Sequence, residues 1–225
     1  MRFDSKVYVV TGAGGQVGAA VAAHLLERGT RVALVDVRPV EAPAGARAWT
    51  ADLTSLPAVR QAMAQAGEAY GGLDGLVNVA GGFVWQTLAQ SEDLSAWQQM
   101  YALNVMTCVT ASKAALPHLR NGGRIVNIGA AGARRGSAGM GPYAAAKSAV
   151  ASFTETLADE LKERRITVNA VLPGVIDTPR NRADMPGSPF DTWAGLDEVA
   201  EAVGFLLSEA AGGISGALLP VAGRL

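Results

Sequence analysis

The sequence predicts an α/β protein in which helices cover both faces of one parallel sheet. Its 225 residues are 49% hydrophobic and 17% charged, so the chain can bury a sizeable core as one domain over residues 1–225. Short apolar runs alternate with helical patterns, and a glycine-rich loop joins the first run to the first helix. Repeated βα units of this kind are typical of parallel strands that are covered by helices.

The apolar runs and helical patterns give seven strands and five helices, without an internal repeat or a domain boundary. The predicted strands are residues 6–10, 31–35, 48–51, 76–79, 124–128, 166–172 and 217–221. The predicted helices are residues 17–28, 58–70, 95–116, 143–162 and 196–207.

Composition restricts the class of partner. The formal net charge is −1 at pH 7 and the chain has no long run of Lys or Arg, so we expect a small-molecule substrate rather than nucleic acid or a membrane surface. No apolar run reaches the roughly 18 residues of a membrane span. Met1 leads directly into a strand without a signal segment. The single cysteine, Cys108, is predicted to be a buried thiol, and we expect a cytoplasmic, reducing location.

The first predicted strand leads into the segment Thr11-Gly-Ala-Gly-Gly-Gln-Val-Gly18, and a helical pattern follows. A glycine loop between a strand and a helix predicts a dinucleotide site, because glycines let the backbone approach a pyrophosphate. The anion then faces the amides and the positive dipole end of the helix. We therefore predict a Rossmann-type doubly wound sheet, with cofactor contacts from Gly12, Gly14, Gly15, Gln16, Val17 and Gly18.

Asp36 follows the second predicted strand, eighteen residues beyond Gly18. A carboxylate there can accept hydrogen bonds from both hydroxyls of the adenosine ribose, and it would repel a 2′-phosphate. The sequence therefore favours NAD(H) over NADP(H). Arg38 lies two residues further on, which leaves the use of NADP(H) open.

The next two strand ends supply further candidate contacts to the cofactor. Asp52, which precedes Leu53, either accepts a hydrogen bond from the adenine amino group or caps the helix that begins near Leu56. After the fourth strand, the segment Asn78-Val-Ala80-Gly81-Gly82 has small residues that would let a cofactor cross the carboxyl end of the sheet. An ordinary turn is the alternative, which the repeated βα alternation disfavours.

Tyr143 and Lys147 lie four residues apart in a predicted helix, so both side chains project from one face. An ammonium about 4 Å from the phenol would bring the pKa of Tyr143 below its usual value of about 10. Such a pair can transfer a proton near neutral pH, although the spacing alone is weak evidence. Asn104 is a polar residue in the apolar helix over 95–116; it either belongs to the site or satisfies its own backbone.

The sixth predicted strand ends at Pro173-Gly174, and a proline-punctuated loop runs from Thr178 to Trp193. The loop carries two large aromatic residues, Phe190 and Trp193. We expect it to act as a lid over the site.

In this order, the motifs resemble those of the short-chain dehydrogenase/reductase family over nearly the whole chain. They are Thr11-Gly12, Asp52, Asn78-Val-Ala-Gly81, Asn104, Tyr143 with Lys147, and Pro173-Gly174. The resemblance implies that Tyr143 is the catalytic acid/base, that Lys147 holds the nicotinamide ribose and that Asn104 keeps a water relay in place. It also implies that Thr178 fixes the carboxamide. The further cofactor contacts are then Asp36, Asp52, Leu53, Asn78, Ala80, Gly81, Lys147, Pro173, Gly174 and Ile176.

In this family, the helices that correspond to those of Asn104 and Tyr143 pair across a two-fold interface. The resemblance therefore implies a homodimer or homotetramer. No metal site is expected.

Two positions depart from the family pattern. Gln16 replaces the middle glycine of the loop, and Ala130 stands where the family has its catalytic serine, thirteen residues before Tyr143. That serine hydrogen-bonds the carbonyl oxygen being reduced, and losing such a donor costs about 2.7–4 kcal/mol of transition-state stabilisation. Ser137 is the nearest hydroxyl in the loop, at an offset that does not match.

One branch of the family, the dihydropteridine reductases, lacks this serine. The glycine loop, the segment Val79-Ala-Gly-Gly82 before Phe83, the segment Gly139-Met-Gly and the lid from Thr178 to Trp193 are similar to theirs. The resemblance implies an NADH-dependent reductase of quinonoid dihydropteridine or a similar planar conjugated acceptor. Candidate substrate contacts are Phe83, Ala130, Met185, Phe190 and Trp193, with Phe83 in place of the tryptophan usual in that branch.

Two other functions stay open. A short-chain carbonyl or 3-ketoacyl reductase would tolerate Ala130 and would gain activity from a serine there. A dinucleotide-binding sensor or scaffold that has lost catalysis is a different class of protein. The joint retention of Tyr143, Lys147 and Asn104 disfavours this last function.

Overall fold

The computed structural model describes residues 5–224, whose strands form a seven-stranded parallel sheet. The strands are β1 (Val7–Thr11), β2 (Arg31–Asp36), β3 (Ala46–Thr50), β4 (Leu73–Asn78), β5 (Leu119–Ile128), β6 (Thr167–Pro173) and β7 (Leu218–Val221). Their order is β3-β2-β1-β4-β5-β6-β7, so the winding direction reverses between β1 and β4. This confirms the predicted doubly wound sheet.

Helices cover both faces of the sheet. They are α1 (Gln16–Glu27), α2 (Leu56–Tyr70), α3 (Ser95–Tyr101), α4 (Thr107–Ala115), α5 (Gly141–Glu160), α6 (Pro179–Asp184) and α7 (Leu196–Leu207). α1 and α7 pack on one face, and α2, α4 and α5 pack on the other. A π turn (Ala102–Met106) joins α3 to α4.

The strands are continuously apolar because both faces of the sheet are covered. In β1, Val7 and Val9 face the layer that contains α2, whereas Tyr8 and Val10 face the layer that contains α1. This alternation is the two-residue period of a β-strand. The central strands therefore form the core and fix the positions of the loops at their carboxyl ends.

Several element boundaries differ from the prediction. β5 begins at Leu119, five residues before the predicted start, because Leu119 pairs with Leu73 although Arg120, Asn121 and two glycines follow it. The predicted helix over 95–116 contains the π turn. The helix predicted to end at Lys162 stops at Glu160, and a short 3₁₀ turn follows.

Three sequence expectations concern the chain as a whole. Cys108 is buried, as predicted, and burial raises the pKa of its thiol to about 12. No helix within residues 5–224 has both the length and the apolar character needed to cross a membrane. In the same part of the chain, His, Cys, Asp and Glu side chains do not form a group of three or more that could hold a metal ion. The expectation about a signal segment rests partly on residues 1–4, which lie outside the described residues.

Candidate active site

The glycine loop folds tightly between β1 and α1. Gly12 has a positive φ of 64°, and a Cβ atom there would lie 2.7 Å from the Cα atom of Ala80. A Cβ atom on Gly18 would overlap the carbonyl oxygen of Gly12. Both positions therefore require glycine, which lets the loop lie directly on the segment after β4.

The amino end of α1 is open to an anion. Its N-cap residue is Gly15, so no side chain caps the first turn. The first amides of a helix have no intrahelical acceptor, and they attract negative charge. Gln16, which replaces a glycine of the family pattern, is the first residue of this helix and is therefore compatible with the turn. The side chain of Val17 is partly buried and packs against the core.

Asp36 is buried at the carboxyl end of β2 beside the glycine loop. Its Oδ2 atom accepts a hydrogen bond from the amide of Gly14 at 2.9 Å, and its Oδ1 atom accepts one from the amide of Arg38 at 3.1 Å. Each carboxylate oxygen keeps a lone pair for a further donor. The backbone of Arg38, rather than its guanidinium, makes this contact.

Asp52 lies in the segment after β3 and has two predicted roles, a contact to the adenine amino group or the N-cap of α2. Its Oδ1 atom accepts hydrogen bonds from the amide and the hydroxyl of Thr54, and the N-cap residue of α2 is Ser55. The alternative that Asp52 caps α2 is therefore wrong, because its carboxylate closes a local turn first. The side chain is exposed and can still meet a ligand, whereas the side chain of Leu53 is buried in the core.

Thr11 joins the glycine loop to the end of β4. Its Oγ1 atom donates to the carbonyl of Val77 at 3.3 Å and accepts from the amides of Val79 at 3.1 Å and Ala80 at 3.4 Å. This hydroxyl holds the ends of β1 and β4 together at the reversal point of the sheet, which is where such folds bind their ligands.

Asn78 is buried at the end of β4, and its side chain binds other polar side chains. Its Nδ2 atom donates to Ser112 at 3.0 Å and to Asn127 at 2.8 Å inside the layer of α4 and α5. Asn127 in turn donates to Thr154 at 2.9 Å. The Asn78 side chain therefore belongs to a buried polar network beneath the site, and its contact to the cofactor stays a prediction.

Asn104 lies in the π turn and binds the segment after β4. Its Nδ2 atom donates to the carbonyls of Gly82 at 3.1 Å and Met100 at 3.0 Å, and its Oδ1 atom accepts from the amide of Gly82 at 3.3 Å. π turns leave carbonyls outside the regular helical pattern and often occur at functional sites. Asn104 thus satisfies backbone groups, as one of the two predictions stated, and at the same time positions the loop beside Tyr143.

Lys147 is buried in α5, with only 6% of the residue exposed. Its Nζ atom donates to the carbonyl oxygen of Ile128 at 2.7 Å. Burial lowers the pKa of Lys147 to about 8. A Cβ atom on Gly81 would lie 3.5 Å from this ammonium and 2.6 Å from Oδ1 of Asn104, so only glycine lets the segment after β4 pack this closely on both polar groups.

Tyr143 is half-buried one helical turn before Lys147, as predicted. Its ring meets the ring of Phe83 edge to face, with the centroids 5.1 Å apart, and the Lys147 Nζ atom lies 5.9 Å from its centroid. The Tyr143 hydroxyl has no hydrogen-bond partner among residues 5–224. Burial raises the pKa of Tyr143 to about 12. The prediction that Lys147 lowers this pKa is therefore wrong, because the Lys147 ammonium points to the carbonyl of Ile128.

Ala130 follows β5 by two residues and is 8% exposed. Its methyl group cannot donate a hydrogen bond. Ser137 is exposed further along the same connection. The loop that begins at Ala130 is anchored to α5, because Ser148 donates to the carbonyl of Ala133 at 3.2 Å.

The predicted lid is more ordered than a loop. Thr178 is the N-cap residue of α6, and its Oγ1 atom accepts from the amide of Asn181 at 3.1 Å while its proton can still be donated. Arg182 makes two hydrogen bonds to Asp177, at 2.6 and 2.7 Å, and lies over the ring of Phe190.

The candidate substrate residues of the lid differ in exposure. Met185 is exposed and Phe190 is half-buried, so both can meet a ligand. Trp193 is only 5% exposed at the base of the lid, where its ring contacts Phe190. The structure therefore assigns Trp193 to the support of the lid and not to a direct substrate contact.

The residues at the end of β6 support the lid from below. Pro173 is the last residue of β6, and the amide of Gly174 donates to Val221 at 2.9 Å. A Cβ atom on Gly174 would approach the carbonyl of Ala222 to 2.9 Å, so this glycine is required by the C-terminal segment. Ile176 forms a parallel bridge with Ala194, which closes the base of the lid.

These residues fit a dinucleotide. The carboxylate of Asp36 at the end of β2, the open amino end of α1 after β1 and the exposed backbone of Gly81 after β4 follow the carboxyl edge of the sheet in that order. The adenosine ribose requires a hydrogen-bond acceptor, and the pyrophosphate requires an anion site. The nicotinamide requires a surface without bulky side chains. The crevice and the Tyr143–Lys147 pair together define a nicotinamide-dependent oxidoreductase.

Sequence reasoning missed four contributors to the site. They are the hydroxyl of Thr11, the carbonyl of Ile128, the amide of Asn127 and the indole of Trp85. The Thr11-Gly12 motif alone does not indicate a role for the Thr11 hydroxyl. Only Trp85 carried a usable sequence signal, namely an aromatic residue two positions after Phe83.

Comparison with known proteins agrees with this class. Residues 6–187 match the family described as short chain dehydrogenase. The protein belongs to the short-chain dehydrogenase/reductase family and is an oxidoreductase of that type.

Three relatives are similar over nearly their whole length. The chain is 33% identical to 2-(S)-hydroxypropyl-CoM dehydrogenase 3 of Xanthobacter autotrophicus, with 100% of this chain and 98% of that protein covered. It is 36% identical to cis-4-hydroxycyclohexanecarboxylate dehydrogenase of Sinomonas cyclohexanicum, with 98% and 96% covered. It is 31% identical to the 3-oxoacyl-acyl-carrier-protein reductase FabG of Vibrio cholerae, with 100% and 99% covered.

Solved structures give the same result. A short-chain dehydrogenase/reductase from Serratia marcescens BCRC 10948 matches with a TM-score of 0.88 at 32% identity, and 100% of this chain and 99% of that chain are covered. A blue fluorescent protein from a metagenomic library, in complex with NADPH, matches at 0.87 and 33% identity, with 100% and 99% covered. A short chain dehydrogenase from Burkholderia cenocepacia J2315, in complex with NADP, matches at 0.86 and 34% identity, with 99% and 98% covered.

Proposed function

We propose that the protein is an NAD(P)H-dependent reductase of a planar conjugated acceptor, with Tyr143 as the proton donor and no serine donor beside it. The observation that carries this proposal is the methyl group of Ala130 just beyond the end of β5. A simple ketone builds a localised alkoxide during reduction, which needs a hydrogen-bond donor at that point. A conjugated acceptor spreads the charge over its own ring, so the donor is less necessary.

The site residues divide the chemistry between them. A bound nicotinamide cofactor would supply the hydride. Tyr143, whose pKa of about 12 keeps its hydroxyl protonated at neutral pH, gives a proton to the acceptor atom that becomes electron-rich. Lys147 holds a positive charge beside the exposed backbone of Gly81, where it can donate a hydrogen bond to a ribose hydroxyl.

Quinonoid dihydropteridine is the acceptor in this class that the sequence favours. Phe83 is half-exposed against Tyr143 and offers a ring on which a planar substrate can stack. None of the relatives named above bears the name of a dihydropteridine reductase, so the proposal commits to the planar conjugated class. Within it, we propose NADH as the preferred cofactor, since Asp36 lies where a 2′-phosphate would be repelled.

A second candidate function is the reduction of an aliphatic ketone or 3-ketoacyl thioester. The observation that favours it is the similarity, at 31–36% identity, to two hydroxyl-compound dehydrogenases and to FabG. In this case a water molecule or the substrate itself would replace the serine. A sensor or scaffold without catalysis is the third function; it would bind NADH and turn over no acceptor.

The test is the oxidation of NADH and of NADPH by the purified protein with three acceptors. They are quinonoid dihydropterin, 9,10-phenanthrenequinone and the aliphatic ketoester ethyl acetoacetate. We expect turnover of the two planar acceptors and slow turnover of the ketoester, with NADH preferred. Inactivity with both planar acceptors and rapid reduction of the ketoester would support the second function. Cofactor binding without turnover of any acceptor would support the third.

We also propose a cytoplasmic homodimer or homotetramer that pairs through the outer faces of α4 and α5. Tyr101 and Met106 are exposed apolar side chains beside those faces. Small residues on α5, among them Ala145 and Ser148, are exposed and permit close approach. Light scattering at micromolar concentration tests the assembly, and a monomer would contradict it.

A further inference from the structure

The segment after β4 places two aromatic side chains on the same side of the chain. Exposure alternates from Phe83 to Gln86: Phe83 and Trp85 are exposed, whereas Val84 packs against the buried cluster that includes Met100, and the Oε1 atom of Gln86 is buried. A period of two is typical of an extended segment. Because the Phe83 ring contacts the ring of Tyr143, the outward side of this segment faces the candidate active site.

The indole of Trp85 packs against the loop that precedes Tyr143. A Cβ atom on Gly139 would overlap Nε1 and Cε2 of the indole, so the ring lies directly against the glycine. The amide of Gln86 donates to the carbonyl of Gly139 at 2.9 Å, which ties the two segments together. Gly139 has a φ of 76°, a conformation that side chains rarely adopt. Both the backbone and the packing therefore require glycine at this position.

The indole of Trp85 still exposes a large surface to solvent. Trp85 is 59% exposed and Phe83 is 50% exposed, although each has one fixed contact. An exposed aromatic side chain that is held in place is a preformed binding surface, because little conformational freedom is lost when a ligand covers it. A flat conjugated ring is the ligand that gains most from such a surface.

We propose that Trp85 is a specificity-determining residue, which binds the part of a planar conjugated substrate that extends beyond the atom reduced at Tyr143. Phe83 borders the reacting end and Trp85 the distal end of one aromatic surface. Gly139 is a positioning residue that keeps the indole in place. This inference rests on the proposed function, since it assigns a residue to recognition of the proposed class of acceptor.

The experiment compares Trp85→Leu, Trp85→Phe and wild type, each saturated with NADH, on 9,10-phenanthrenequinone and ethyl acetoacetate. Trp85→Leu should raise KM for the quinone about five- to tenfold, because a stacked aromatic contact is lost. Its KM for the ketoester and its kcat for both acceptors should change less than about twofold, since Tyr143 is untouched. Trp85→Phe should restore most of the quinone KM. An unchanged quinone KM in Trp85→Leu would overturn the inference.

A second readout does not depend on turnover. The dissociation constant of the quinone for the NAD⁺-loaded protein, measured by calorimetry, should rise by the same factor in Trp85→Leu. Gly139→Ala should weaken binding in the same direction, because it displaces the indole. Trp49→Phe, on the edge strand β3, is the matched control and should leave binding unchanged. If wild type reduces neither acceptor, the proposed function fails, while unequal binding by Trp85→Leu still supports the aromatic surface.

Discussion

The Nζ atom of Lys147 donates a 2.7 Å hydrogen bond to the carbonyl oxygen of Ile128, the last residue of β5. This bond joins the helix that carries Tyr143 to the strand that leads to Ala130. It places a buried positive charge at the carboxyl edge of the sheet, and burial lowers the pKa of that ammonium to about 8. The stability of the fold is therefore linked to the protonation of Lys147.

The first prediction concerns this linkage. The folded protein binds a proton at Lys147 less tightly than the unfolded chain does, so the charged side chain destabilises the fold fully below about pH 8 and not at all above about pH 10.5. Relative to Lys147→Met, wild type should gain on the order of 3 kcal/mol in free energy of unfolding across this window. Urea unfolding of both proteins at the two ends of the window measures the gain.

The comparison with Lys147→Met is needed because other groups titrate in the same range. Burial raises the pKa of both Tyr143 and Cys108 to about 12, so wild type alone loses stability from these groups as the pH rises. Both residues are present in the variant, and their contributions largely cancel in the difference. A stability difference that stays constant with pH would contradict a lowered pKa of Lys147.

The second prediction concerns Tyr143→Phe. Loss of a positioned general acid should lower kcat by about 10²–10⁴-fold for any acceptor that wild type reduces. The hydroxyl has no partner within residues 5–224, so the free energy of unfolding should change by less than about 0.5 kcal/mol. NADH binding, followed by the fluorescence of the nicotinamide, should persist. A variant with more than a tenth of the wild-type kcat would exclude Tyr143 as the proton donor.

The third prediction concerns Ala130→Ser. A hydroxyl at this position can donate to a developing alkoxide, so kcat/KM for ethyl acetoacetate should rise by about 10²-fold. The gain with 9,10-phenanthrenequinone should be much smaller, because its ring already spreads the charge. Ala138→Ser, in the exposed part of the same connection, is the control and should change neither rate. Equal gains for both acceptors would argue against an acceptor that delocalises its own charge.

The fourth prediction concerns cofactor choice. Asp36→Ser removes the carboxylate beside Gly14, so the ratio of kcat/KM with NADPH to that with NADH should increase about tenfold or more. Asp52→Asn removes a carboxylate at the neighbouring strand end and should affect the two cofactors alike. Steady-state kinetics with both cofactors gives the ratio. If Asp36→Ser leaves the ratio unchanged, the preference for NADH does not depend on this carboxylate.

The fifth prediction concerns Gly18→Ala. The added methyl group would overlap the carbonyl of Gly12, so the loop must shift, with a cost of about 1–3 kcal/mol in free energy of unfolding. The dissociation constant for NADH should rise together with this loss. Gly213→Ala meets no atom within 4 Å and is the matched control. A stable Gly18→Ala variant that binds NADH normally would show that the loop tolerates a side chain there.

The order of the elements could be predicted from the sequence because each strand is buried on both faces and reads as an apolar run. The predicted bounds of the last helix agree with α7 without change. β5 was shortened in the prediction because Arg120, Asn121 and two glycines give its first half a polar pattern. Its pairing with β4 through Leu73 depends on a tertiary contact, which no local pattern contains.

The site could be predicted where a residue type is rare for its surroundings, as with the glycine loop and the Tyr143–Lys147 pair. The direction in which a side chain points could not be predicted. Lys147 was expected to lower the pKa of Tyr143, but its ammonium turns to a backbone carbonyl, and burial of the phenol dominates. An aromatic residue in the lid predicts a substrate contact for Trp193, yet its side chain is buried beneath that lid.

The π turn that holds Asn104 contains one residue more than a regular α-helix would need for the same rise. Deletion of a single residue between 102 and 106 would therefore restore regular helix without breaking it. Because the π turn absorbs that residue locally, α3 and α4 would keep their packing, and the change would fall on the turn itself, where the Asn104 amide binds the backbone of Gly82. The length of this turn thus sets where the Asn104 amide lies relative to the segment after β4.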